Sequence, residues 1–182
     1  MNNRFEELFG AFHDEKLHEV FQDAQIENVR ISMEKKSIEI DAFFPVIVTY
    51  KILQKAESVL RENLSVNSVT LFPKMPAEVF SEAYFGTLVD EANLAIAATN
   101  GFFADSSAVF DGKVLRVELF HGGGDILKGV GAAEFMERLI LKRFDRSVKV
   151  EFCGTTELTM SDEQIESFHK KAEEENLVAK AM

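Results

Sequence analysis

The apolar residues of this chain run twice through the same series of helical and alternating periods, and that repeat limits the fold more than any other feature. Phe5, Leu8, Phe9 and Phe12 recur at helical spacing, and Gly10 is placed to break this first short helix. Asp14 has the side chain of an N-cap for a second helix, which puts Leu17, Val20, Phe21 and Ala24 on one face. The period then drops to two. Val29, Ile31 and Met33 alternate with polar neighbours, as do Ile38 and Ile40, and the polar piece Glu34-Lys35-Lys36-Ser37 joins the two runs as a hairpin. Pro45 is suited to open the next helix, with Val46, Thr49, Leu53, Ala56 and Leu60 on its buried face. Val69 and Leu71 close the unit as a strand, giving the order α-α-β-β-α-β.

The string Phe72-Pro73-Lys74-Met75-Pro76 holds two of the three prolines and reads as a linker, with Pro76 opening the next helix. The linker is short, so a fixed interface between the flanking units is expected. Val79, Phe80, Ala83, Tyr84 and Leu88 are then helically spaced, a second helical piece covers about residues 91–99, and Asn100-Gly101 ends it. Asp111-Gly112 is a strong turn signal between Ala108-Val109-Phe110 and a strand that points Leu115, Val117 and Leu119 to one side. A glycine-rich turn leads into a helix N-capped by Asp125; residues 132–144 are helical with Phe135, Leu139 and Ile140 buried, and Val148, Val150 and Phe152 form the last strand. The domain boundaries are therefore 1–75 and 76–154, both α+β. Residues 155–182 follow as an acidic C-terminal helix, opened by a capping box of Ser161 and Gln164 and only thinly apolar at Ile165, Phe168 and Leu177.

Composition excludes several functions. Lys and Arg number 20 against 31 Asp and Glu, a net charge of -11, and each of the three segments is acidic. A generally basic surface for gripping nucleic-acid phosphates is absent. The single cysteine allows no intrachain disulfide, and the first residues lack the layout of a signal peptide. The densest apolar stretch, residues 42–50, is too short to span a bilayer, so a cytoplasmic protein with no membrane partner is expected. Phe occurs 17 times, Tyr twice and Trp not at all, so the aromatic mass suits two small cores better than a polar site.

Few residues carry a chemical signature. His121-Gly122-Gly123-Gly124 resembles an oxyanion loop, but no Gly-x-Ser-x-Gly elbow accompanies it. As a KH-type binding loop, Gly122, Gly123 and Gly124 are followed by Asp125, a carboxylate that would repel a phosphate path. The simpler reading is a flexible strand-to-helix turn. His13, His18, His121, His169 and Cys153 match no zinc spacing, and no cofactor is expected. Lys142, Arg143, Arg146 and Lys149 form one basic cluster in an acidic chain. Its functional reading is a patch for an acidic partner or weak single-stranded nucleic acid; its simpler reading is cations complementing a helix C-terminus.

The order of elements resembles the N-terminal region of the bacterial DNA polymerase III alpha subunit of the PolC type. The residues carrying the resemblance are Val29-Arg30-Ile31 with Lys36-Ser37-Ile38-Glu39-Ile40, then Phe44-Pro45 with Tyr50 and Leu53, then Val69-Thr70-Leu71. In the second unit they are Tyr84-Phe85, Asp111-Gly112-Lys113-Val114-Leu115-Arg116-Val117 and Val148-Lys149-Val150. Ile38 and Phe85 stand where the family commonly has Trp. The tail Lys170-Lys171-Ala172-Glu173-Glu174-Glu175 resembles the connector before the family's OB-fold domain. The resemblance implies two small two-layer modules of KH-like or clamp-loader-tail-like form. It also implies a docking role toward the clamp loader tau subunit and other holoenzyme components. The family's polymerase and proofreading 3'-5' exonuclease carboxylates lie beyond this region, so it implies no catalytic or metal-binding residue here.

Overall fold

The computed structural model describes residues 4–154, so the acidic helix expected over 155–182 lies outside the described residues. The fold is mixed α+β, with two three-stranded sheets. The first module runs α1 (Phe5–Phe9), α2 (Glu15–Phe21), β1 (Gln25–Ser32), β2 (Ser37–Phe43), α3 (Tyr50–Leu64) and β3 (Ser68–Lys74). Gly10 ends α1 at φ 84°, and the Asp14 side chain accepts the Leu17 N–H, as the sequence predicts. The second module has α4 (Phe85–Ala95), β4 (Ser107–Phe110), β5 (Val114–Glu118), α5 (Gly124–Gly129), α6 (Ala132–Phe144) and β6 (Lys149–Cys153). Asp111 accepts the N–H groups of Lys113 and Val114 in the turn between β4 and β5.

Both sheets have one topology. An antiparallel hairpin, β1-β2 or β4-β5, is followed by a helical crossover to a parallel edge strand, β3 or β6. A helix on one side explains the burial alternation: Ile38, Ile40, Ala42, Val69 and Leu71 are buried in the first module, Leu115, Val117, Val150 and Phe152 in the second.

The two edge strands are closed alike. Glu57 on α3 accepts the outward Leu71 N–H of β3 at 2.7 Å, and Glu137 on α6 accepts the Val150 N–H of β6 at 2.9 Å. Each crossover helix thus supplies a carboxylate to its own edge strand, occupying a donor that would otherwise invite another strand.

Several details differ from the sequence expectation. Pro45 does not open α3, which begins at Tyr50, and Val46 and Thr49 are exposed. Phe44 still donates its N–H to the Lys74 carbonyl, and its ring is buried against Phe21 with centroids 5.1 Å apart; the chain bends at Pro45 and Val46, and the helix waits until Tyr50. Phe72, Pro73 and Lys74 belong to β3 and pair with β2, so they are not linker. Pro76 precedes a 3-10 turn, Ala77–Val79, and a second, Glu82–Tyr84, leads into a single helix α4. The glycine turn contains α5, whose N-cap is Gly123 in place of Asp125. In α6 the buried positions include Met136 and Ile140, while Phe135 and Leu139 are half-buried. The buried side chains of both modules form one contiguous cluster instead of two separate cores.

Candidate functional site at the module seam

The seam is made where α4 and α6 of the second module meet α3 and β3 of the first. Thr49 gives α3 no side-chain cap; the first helical N–H, that of Tyr50, donates to Thr87 Oγ1 on α4 at 3.3 Å. One module therefore caps a helix of the other. Met75 is buried, its N–H donates to the Arg143 carbonyl at 2.7 Å, and its sulfur accepts the Val48 N–H. The fixed interface expected from the short linker is present in these bonds.

Arg143 organises the second side of the seam. Its guanidinium donates to Tyr84 OH at 2.5 Å and to Glu91 Oε2 at 2.8 Å, and Nη1 also lies 2.5 Å from Glu91 Oε1. The Arg143 and Glu91 side chains are 9% and 14% exposed, so the pair is largely out of water and depends on its geometry. Burial pushes the Tyr84 hydroxyl up to about 12, with Arg143 opposing that shift, so Tyr84 stays neutral. Beside the pair lies a cleft of about 340 Å³, lined by Leu53, Leu71, Phe72 and Leu139 and by the carboxylates Glu57 and Glu91. Burial pushes the Glu57 carboxyl above its ordinary value; the Leu71 N–H opposes this and Glu91 adds to it.

The four cations of the basic cluster do not form one exposed patch. Arg143 is buried in the ion pair just described. Arg146 donates to the Ala77 and Gly112 carbonyls at 3.0 and 2.8 Å and lies over the Phe110 ring. Lys142 is exposed and sits 4.6 Å from the centroid of Phe72, across the seam. Lys149 is exposed on β6 beside Glu151 at 3.6 Å. The sequence could not separate these cases, because the partners of Arg143 and Arg146 lie 34 to 69 positions away.

Gly122, Gly123 and Gly124 are buried. Gly123 has φ 89°, and a Cβ there would meet the Phe102 ring at 2.3 Å, so this glycine serves close packing. His121 is exposed and lies 3.5 Å from the Asp105 carboxylate. Among the described residues, no group of three or more His, Cys, Asp or Glu could hold a metal ion. No helix among them is long and apolar enough to cross a membrane.

The molecule is thus a tandem α+β protein whose two like modules are locked through one seam. Residues 4–71, almost the whole first module, match the family DNA polymerase III polC-type N-terminus I. Over that stretch the chain is similar to the N-terminal region of PolC-type DNA polymerase III, a likeness consistent with DNA replication. No curated protein matches the chain.

Proposed function

We propose that this chain is a non-catalytic docking region of a replicative DNA polymerase, which ties the catalytic subunit to its holoenzyme through the clamp loader tau subunit. The family match over residues 4–71 carries this reading. Two features of the chain support it. The cations that suggested nucleic-acid contact are divided, Arg143 and Arg146 being engaged within the second module. The seam, capped and bonded across both modules, gives a rigid body of the kind that presents a surface to a partner.

The test is a pull-down of the tau C-terminal region by the full chain. Retention that persists at moderate salt supports docking. Failure of tau to bind removes the tau assignment.

A further inference from the structure

The cleft of about 340 Å³ at the module seam has walls of two kinds. Leu53, Leu71, Phe72 and Leu139 give it an apolar lining drawn from both modules, and six charged side chains stand around it. Its size is near the lower end of the usual range for small-ligand pockets, about 300–1,000 Å³, and suits one side chain or one small organic molecule.

Five of the six charges are already engaged. Asp41 is paired with Arg30, Lys74 lies 2.7 Å from Glu27, and Glu91 is paired with Arg143. Lys142 stands 4.6 Å from the centroid of the Phe72 ring. Glu57 is the exception. One of its oxygens accepts the Leu71 N–H at 2.7 Å, and the other has no hydrogen bond or ion pair among the described residues. Glu91 opposes the ionisation of Glu57; Arg143 favours it but is committed to Glu91. Glu91 Oε1 is fully buried and, beyond its ion pair with Arg143, accepts no hydrogen bond. The carboxylate side of the cleft therefore has acceptors in excess and lacks donors and positive charge. A half-buried carboxylate without a counter-charge is unfavourable, and a bound cation relieves it.

We propose that the seam cleft is a receptor for a basic side chain, arginine or lysine, carried by the partner. Its guanidinium or ammonium group pairs with the free oxygen of Glu57, and its methylene stem lies along Leu53, Leu71 and Leu139. The inference rests on the docking reading for the partner alone; the chemistry of the cleft does not depend on which partner brings the cation. An anion fits poorly, since Lys74 and Arg143 already hold carboxylates. The net charge of -11 favours the approach of a basic segment. Glu57 stands on α3 and Leu139 on α6, so the site is complete only when the seam is closed.

The experiment adds n-butylguanidinium, and separately its neutral isostere n-butylurea, to the full chain at neutral pH and follows amide shifts by NMR. Saturable shifts centred on Leu71 are expected for the cation. Affinity should be roughly tenfold lower for n-butylurea, and for the cation on Glu57→Gln, which keeps an acceptor for the Leu71 N–H. The two probes on the unsubstituted chain decide the matter should Glu57→Gln fold poorly. Equal affinity for both probes, no shifts at the cleft, or unchanged cation binding to Glu57→Gln overturns the inference. The tau C-terminal region is then titrated with and without n-butylguanidinium. Tau binding weakened by the probe supports the cleft as its site. Tau binding that neither the probe nor Glu57→Gln weakens overturns the inference and leaves docking intact. Cation binding at the cleft without any tau binding removes the tau assignment and leaves the cleft.

Discussion

Arg143 on α6 and Glu91 on α4, 52 positions apart, are joined by a two-pronged ion pair that water barely reaches. The same arginine holds Met75 through its carbonyl, so one residue fixes both the helix pair and the chain passing between modules. Arg143→Ala leaves Glu91 charged and unpaired and should destabilise the protein by about 3–5 kcal/mol. The double change Arg143→Met with Glu91→Leu removes both charges and should recover most of that loss. Urea unfolding of the three proteins measures this; a single variant as stable as the parent would remove the pair from the account.

Thr87 is the external cap of α3. Thr87→Val keeps the shape and deletes the acceptor, so about 1 kcal/mol of stability should be lost. The loss should appear as earlier exchange of the first amides of α3, beginning at Tyr50, with little change at β6.

Glu57 makes stability depend on pH in a stated direction. Its carboxyl is raised in the folded protein, so the folded state binds the proton more tightly than the unfolded chain. Its contribution is greatest below the ordinary glutamate value of about 4.3 and falls as pH rises through the raised value. Asp14, Asp41 and Asp111 are held low, so their contributions are present above the ordinary aspartate value and are lost as pH falls. Glu57→Gln retains an acceptor for Leu71 N–H without the charge. Its stability relative to the parent should therefore grow from pH 4 to pH 7. Parallel curves would show that Glu57 is not perturbed.

Gly154 has φ +129°, and a Cβ there would meet the Leu119 carbonyl oxygen at 2.6 Å. Because that neighbour is backbone, Gly154→Ala should cost about 1–3 kcal/mol. Gly10, also at positive φ but in open space, should lose only about 1 kcal/mol on the same change. Thermal or urea melts distinguish the two.

The chain should show no salt-sensitive binding to single-stranded DNA that depends on Lys142 and Lys149 together. Fluorescence anisotropy at low salt tests this, with Lys142→Ala/Lys149→Ala as the comparison. A clear loss of binding in that variant would restore the basic cluster as a site.

Local chemistry was legible in the sequence where neighbours decide the outcome. Gly10, Asp14 and Asp111-Gly112 act as their side chains and spacing predict, and β5 and β6 follow their alternation. Pro45 misled because the helix start was decided at a distance, by the Phe44 bond to Lys74 and the packing of Phe44 on Phe21. The glycine run concealed α5, since positive φ at Gly123 is helix entry as well as turn. The carboxylate closures by Glu57 and Glu137 are 14 and 13 positions from their donors, and each looks like one more acidic residue on a solvated helix face. For the same reason the sequence leaves the basic cluster between a contact patch and cations at a helix C-terminus: charge is visible in sequence, and the partner that consumes it is not.

The most direct measurement compares the parent polymerase with a form lacking residues 1–154. Primer extension on a short template and retention of the tau subunit are followed together. A docking region predicts unchanged extension and lost tau retention. Lost extension with tau still retained would contradict it.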